Sequence, residues 1–274
     1  MRPARPVLLG VAAAALLAVG SVWFMLGGRQ AEAAGEALPL PPDLPRLAEG
    51  PDYEHCLGLL RQDPEGARAF AGNWEAAGGN EGARHCAALA LLALGDAERA
   101  AERLEQLART SRGSAAARAA VFTEAGQAWM IAGQSGRAFA TATMGLTLTP
   151  GDADLLLDRA VALGSMGRYA EALEDLDRVA ARDADRAEAW VFRAAALRHL
   201  SRLDQAAAAA ARALALTPDS AEALLERGII RQMRGDPAGA RADWERAVML
   251  APDSPTADLA QQNLALNEAG PQRR

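Results

Sequence analysis

Apolar and polar positions divide this chain into three regimes. Residues 7–28, "VLLGVAAAALLAVGSVWFMLGG", are apolar without a single charge. About 20 such residues suffice for a helix to cross the hydrocarbon core of a bilayer. Residues 30–51 break that pattern with Pro39, Pro41, Pro42, Pro45 and Pro51. Proline removes a backbone donor and favours extended chain, so this stretch predicts a linker. From residue 52 small and apolar residues recur at helical spacing, and the recurrence itself repeats. Ala240, Trp244 and Ala247 have counterparts 34 residues earlier at Ala206, Ala210 and Ala213. Two further steps give Ala172, Leu176 and Val179, then Ala138, Ala142 and Gly145. A proline follows at Pro150, Pro218 and Pro252, with Ala184 at the remaining position. Upstream in each unit come a small residue (Gly126, Ala160, Ala194, Gly228) and then a turn residue (Gly133, Gly167, Ser201, Gly235).

Each unit therefore predicts a helix, a tight turn and a second helix. Alanines allow close helix approach, a larger residue such as Trp244 or Leu176 fills the space between them, and proline ends the unit. Four units share the register: 119–152, 153–186, 187–220 and 221–254. Upstream the pattern weakens. Ala88, Gly95, Ala100, Leu104 and Leu107 mark a unit near 81–114, followed by an insertion at 115–118. A further pair near 52–77 carries Ala67, Ala71 and Trp74. The resulting division is 1–29 signal or anchor, 30–51 linker, 52–118 two degenerate helical pairs, 119–254 four repeats, and 255–274 a capping helix and tail. Composition agrees: half the residues are hydrophobic but only 4% are aromatic, so Ala, Leu and Val must build the core of an all-α protein.

The pattern resembles the tetratricopeptide repeat family. "AWVFRAAALRHLSRLDQAAAAAARALALTPDS" and "AEALLERGIIRQMRGDPAGARADWERAVMLAPDS" carry the resemblance most fully. It implies a right-handed superhelical solenoid whose concave face, lined by the first helix of each unit, binds a protein or peptide client. By register that groove comprises Gln127, Met130 and Ile131, then Leu157 and Val161, then Val191, Arg198 and His199, then Leu225, Ile229, Gln232 and Met233. The set is mainly apolar, which suits an extended or helical peptide. The Lys/Arg/Asn clamp by which some members hold C-terminal carboxylates is not apparent. Arg159, Arg193 and Arg227 occupy one repeat position, with Asp175 and Asp243 16 residues after the first and third. Ion pairs between the helices of one repeat explain them, or else a basic ladder in the groove. Ala209 stands where the middle acid belongs, so Arg193 needs another partner.

Charge narrows the partners. The chain carries −6 overall. Setting aside Arg2, Arg5 and Arg29 leaves 26 arginines against 35 acids, or −9, from residue 30 onward. Phosphate binding needs clustered positive charge, so nucleic acid is not expected. All 29 basic residues are arginine, which with abundant Ala and Gly suggests a GC-rich bacterial genome. Arg2 and Arg5 precede the apolar stretch, and the positive-inside rule then places the folded part in the periplasm, anchored in the inner membrane by residues 7–28. Trp23 and Phe24 suit the membrane interface. The alternative is cleavage near Ala33, where Ala31, Glu32 and Ala33 fit the small-x-small rule, releasing a soluble periplasmic protein.

Cys56 and Cys86 are the only cysteines, each preceded by a histidine, His55 and His85. Adjacent helical residues point about 100° apart, which disfavours a two-His, two-Cys metal site. By register the cysteines lie on first helices of neighbouring units, and a structural disulfide is expected, with free thiols the alternative. Motifs for zinc hydrolysis, phosphate cradling and serine nucleophiles are absent, and no cofactor, metal or enzymatic activity is expected. The expected function is a membrane-tethered scaffold for a client polypeptide. Two alternatives stand beside it: an assembly factor for exported redox proteins, similar to those of cytochrome c maturation, and a thiol redox protein using the cysteine pair.

Overall fold

The structure, a computed structural model, describes residues 46–269. Among these there are thirteen helices and no strand. They are α1 (Pro51–Gln62), α2 (Pro64–Ala76), α3 (Asn80–Ala93), α4 (Ala97–Thr110) and α5 (Ala115–Ile131). Then come α6 (Ser135–Leu148), α7 (Ala153–Ser165), α8 (Tyr169–Arg182) and α9 (Ala187–His199). The last four are α10 (Leu203–Leu216), α11 (Ala221–Met233), α12 (Pro237–Leu250) and α13 (Pro255–Ala269).

The single-pass inner-membrane placement is corrected here. Among the described residues no helix is long and apolar enough to cross a membrane. They run from 12 residues in α1 to 17 in α5, and charged side chains interrupt every one. A bilayer span takes about 20 apolar residues. The apolar segment 7–28, the cleavage position at Ala33 and the linker as far as residue 45 lie outside the described residues.

Local chemistry sets the helix ends. Asp63, Asp96, Ser114, Asp152, Ser220 and Asp236 each accept a hydrogen bond from a first-turn backbone N–H. These caps satisfy donors that have no partner inside the helix. The intra-repeat turns take a left-handed residue, which glycine adopts without a Cβ penalty. Gly133, Gly167 and Gly235 serve three turns at φ of 72°, 75° and 81°. Ser201 holds the fourth at φ 58°.

The chain divides into two compact units, ending and beginning at Ala132 and Gly133. In the first, α1 packs on α2 and α3, and each later helix on its chain neighbour. Cys56, Leu60, Ala67, Ala71, Cys86, Ala87 and Ala90 form its core. Helix α5 is four residues longer than α7. Its added N-terminal turn carries Arg118, whose guanidinium donates to the Ala108 carbonyl (2.9 Å) at the end of α4.

In the second unit α8 packs on α7 and α9, α10 on α9 and α11, and α12 on α11 and α13. The first helices α7, α9 and α11 also touch in sequence, which lays them side by side. Alanine dominates the middle of the core, with Ala194, Ala206, Ala209 and Ala210 packed around Leu197. Farther along, Trp244 fills the space opposite a residue that has no side chain. A Cβ on Gly228 would lie 2.3 Å from Trp244 Nε1, and that N–H donates to the Leu225 carbonyl (3.2 Å).

Candidate functional site

On an α-helix, residues i, i+4, i+7 and i+11 share a face. On α9 these are Glu188, Phe192, Ala195 and His199. The matching stripe on α7 is Asp154, Asp158, Val161 and Ser165, and on α11 it is Glu222, Glu226, Ile229 and Met233. Where α7 and α9 meet, the stripes flank a pocket of about 250 Å³ lined by Val161, Gly164, Ser165, Tyr169, Phe192 and Ala195, with His199 at its side. The pocket exists because Gly164 and Ala195 stand where bulky side chains would close it. Tyr169, which opens α8, stacks on His199 with ring centroids 4.1 Å apart and planes 2° from parallel. Burial and the neighbouring Arg198 cation hold the His199 imidazole below its ordinary range. The wall it forms with Tyr169 is thus a neutral aromatic one at physiological pH.

The register-derived groove residues separate by what they touch. Leu157 is buried at 3% exposure and belongs to the core. Val161, Val191, Leu225 and Ile229 are half-buried, and Met233 is exposed. Gln232 is exposed, and its side-chain oxygen accepts from Asn267 Nδ2 (3.4 Å) of α13. Arg198 is committed within the protein: its guanidinium grips the buried Glu226 with contacts of 2.6 and 3.3 Å, tying α9 to α11. Gln127 and Met130, half-buried, and Ile131, exposed, belong to the first unit.

The arginine series ties helices together. Arg159 binds Asp175 with two contacts of 2.7 Å, and Arg227 binds Asp243 at 2.9 and 2.6 Å. Both aspartates are buried, and each forked pair satisfies both carboxylate oxygens. Arg193, lacking an acid at position 209, turns back to Asp177 on α8 (2.8 Å) and lies over the Trp190 ring. A second arginine series went unnoticed in the sequence, although its 34-residue step was visible there. Arg178 donates to the Pro150 carbonyl (2.7 Å), Arg212 to the Ala184 carbonyl (3.3 Å) and Asp185 (3.0 Å), and Arg246 to Asp219 (2.5 Å). Each fastens a second helix to the loop that leads into its own repeat.

In the first unit Cys56 on α1 and Cys86 on α3 form a disulfide, with Cα atoms 6.3 Å apart. Both residues are 0% exposed, so the bond offers no sulfur to a partner molecule. Beside it lies a buried polar chain that sequence reasoning missed. Tyr53 and His85 Nδ1 are 2.5 Å apart, and His85 Nε2 donates to the Glu124 carboxylate on α5. Burial alone would pull the His85 pKa down; the charge and hydrogen bond of Glu124 reverse this and raise it. Burial and the nearby Glu124 carboxylate likewise push the Tyr53 hydroxyl up. His55 sits edge-on to Phe70 instead. Both histidines that precede cysteines are therefore otherwise engaged, and among the described residues no His/Cys/Asp/Glu group is arranged to hold a metal.

Two tetratricopeptide repeat family profiles match the second unit, one over residues 157–221 and the other over 193–265. No curated protein matches the chain. Among solved structures, the chain is similar to one in the crystal structure of the APC/C hetero-tetramer Cut9–Hcn1, with 16% identity and a TM-score of 0.61. That match covers 78% of this chain and 42% of the other, so the chain spans less than half of that relative's length. It is also similar to MamA (41-end) from Desulfovibrio magneticus RS-1: 18% identity, TM-score 0.52, covering 76% of this chain and 100% of that one. At these identities the likeness is one of fold. Paired helices, the 34-residue step and both family profiles converge on one conclusion: residues 157–265 are built of tetratricopeptide repeats.

Proposed function

We propose that the chain is a protein–protein interaction scaffold that holds a client polypeptide against the α7–α9–α11 face of its second unit. Tetratricopeptide repeats generally serve as such scaffolds. The observation that carries the reading is the pocket between α7 and α9, walled by small residues on one side and the Tyr169–His199 stack on the other. A cleft with apolar walls and a few polar points accepts one anchoring side chain of a peptide, while the flanking Leu225, Ile229 and Met233 offer it further apolar surface. The rigid ion pairs behind the face keep it preformed, which lowers the entropic cost of binding. Helices α1–α4 fit this picture as diverged repeats stapled by the disulfide.

Photo-crosslinking tests it. A photoreactive residue replacing Ile229 captures a client, and Ala195→Phe, which fills the pocket, reduces the capture. A label on the opposite surface, at Ala211, captures nothing comparable. Equal capture from both surfaces, or capture indifferent to Ala195→Phe, refutes the proposed face.

A further inference from the structure

The charge of this face identifies the kind of client it takes. Asp154, Glu188 and Glu222 occupy the same position in three successive repeats, each in the first turn of its first helix. They lie on the same helical stripes as Val161, Ala195 and Ile229, and α7, α9 and α11 lie side by side. The three carboxylates thus form a row along one margin of the apolar face. Their side chains reach solvent: Asp154 and Glu188 keep 61% and 60% of their surface exposed, and Glu222 is exposed as well.

Local cations do not balance the row. Arg186 pairs with Asp154 at 2.6 Å and reaches Glu188 only at 4.0 Å. Glu222 accepts from the Ser220 hydroxyl (3.1 Å), and among the described residues no guanidinium pairs with it. The carboxylates also act on one another. Crowding by surrounding protein raises the Glu188 pKa, Arg186 offsets part of this, and the charges on Asp154 and Glu222 raise it further. First-turn acids do favour their own helix dipoles. The dipoles, however, reward an acid anywhere on the first turn, and all three stand on the stripe that faces the apolar surface.

We infer that the client segment is cationic with an apolar anchor: one apolar side chain seated in the α7–α9 pocket, and lysines or arginines lying along the Asp154–Glu188–Glu222 row. This rests on the peptide-binding reading above and specifies its partner. The spacing follows from helix geometry. From Glu188 to Ala195 and His199 the rise is about 10–16 Å, which an extended peptide covers in about three to five residues. Opposite charge also speeds encounter and excludes acidic competitors.

The test uses the full chain and fluorescence anisotropy with synthetic probes. The first probe is a labelled peptide of about ten residues with a lysine run, a short neutral spacer and one leucine. Three analogues replace the lysines by glutamine, the lysines by glutamate, or the leucine by serine. The lysine–leucine probe is expected to bind best, weakening as salt rises. Glu188→Gln with Glu222→Gln should weaken it about tenfold, taking roughly fivefold or less for each exposed pair. Glu98→Gln with Glu174→Gln removes the same charge from second-helix surfaces and should leave it near its original affinity. If the glutamine or glutamate analogue binds as tightly as the lysine probe, the charge assignment is overturned while the peptide-binding reading stands. If the serine analogue binds as tightly as the leucine probe, the anchor is overturned. If no probe binds, the cationic-client inference falls, and capture at Ile229 decides separately whether the peptide-binding reading stands.

Discussion

Gly228→Ala should destabilise the protein even though alanine is the better helix former. In an exposed helix the exchange gains about 0.8–1.0 kcal/mol. Here the new Cβ would stand 2.3 Å from Trp244 Nε1 and 2.6 Å from Cδ1, roughly 1 Å inside ordinary contact. The indole cannot swing aside cheaply: it is 2% exposed and its N–H is bonded to the Leu225 carbonyl. Overpacking of this kind costs about 1–3 kcal/mol, and breaking the hydrogen bond adds about 1 kcal/mol. The net expectation is a loss of about 1–3 kcal/mol, lowering Tm by about 2–4 °C per kcal/mol in a chain of this size. Urea unfolding followed by far-UV circular dichroism measures it. A second background sharpens the test. In Trp244→Leu the obstruction is gone, so adding Gly228→Ala should become neutral or favourable by up to about 1 kcal/mol. Parental stability for Gly228→Ala, or the same penalty in both backgrounds, refutes the idea that this glycine exists to admit the tryptophan.

Three further outcomes are expected. The buried Cys56–Cys86 bond should survive mild reductant in the native protein and yield to it in urea, read by thiol alkylation and mass spectrometry; replacing both cysteines by alanine should cost the first unit about 3.5 kcal/mol for a separation of 30 residues. Because the folded pKa of His85 is raised, its stabilisation is fully present below the unfolded value near 6.5 and is lost as pH rises through the folded pKa. First-unit stability should therefore decline with pH across that window, and Glu124→Gln should flatten the decline; an unchanged slope in the variant excludes this pair as the cause. Ser201→Gly should stabilise by about 0.5–1 kcal/mol, since the left-handed backbone costs serine about 1–2 kcal/mol and glycine's extra unfolded-state freedom returns part of the gain. An unshifted urea midpoint would show that the turn carries no such strain.

What was legible in the sequence was whatever repeats with a fixed step. Alanine spacing and the Gly133, Gly167, Ser201 and Gly235 turns recur at 34 residues, and the Arg159–Asp175 and Arg227–Asp243 pairs at twice that step. The partner of Arg193 was not legible, because Asp177 lies on the preceding repeat, where no matching pair sets a precedent. Leu157 and Arg198 share repeat positions with surface-lining residues, yet burial took one and Glu226 the other; position alone carries no measure of depth. The Tyr53–His85–Glu124 chain escaped for a different reason. Its separations are 32 and 39 residues, off the common step, and only folding brings α1, α3 and α5 together.

That irregular 39-residue interval exceeds the common step by five residues, four of which are the added turn of α5. Four residues advance an α-helix by about 400°, so an insertion of that length returns the chain almost to its former phase. The residues downstream keep their inward and outward assignments, and Glu124 still points at its neighbour. An insertion of two residues would have rotated everything after it by about 200° and turned the core outward. Among possible length changes, a helical array is thus nearly blind to whole turns and intolerant of half turns. The array can be edited in quanta of one turn, and new contacts such as Arg118 against the end of α4 accrue without disturbing the frame that follows.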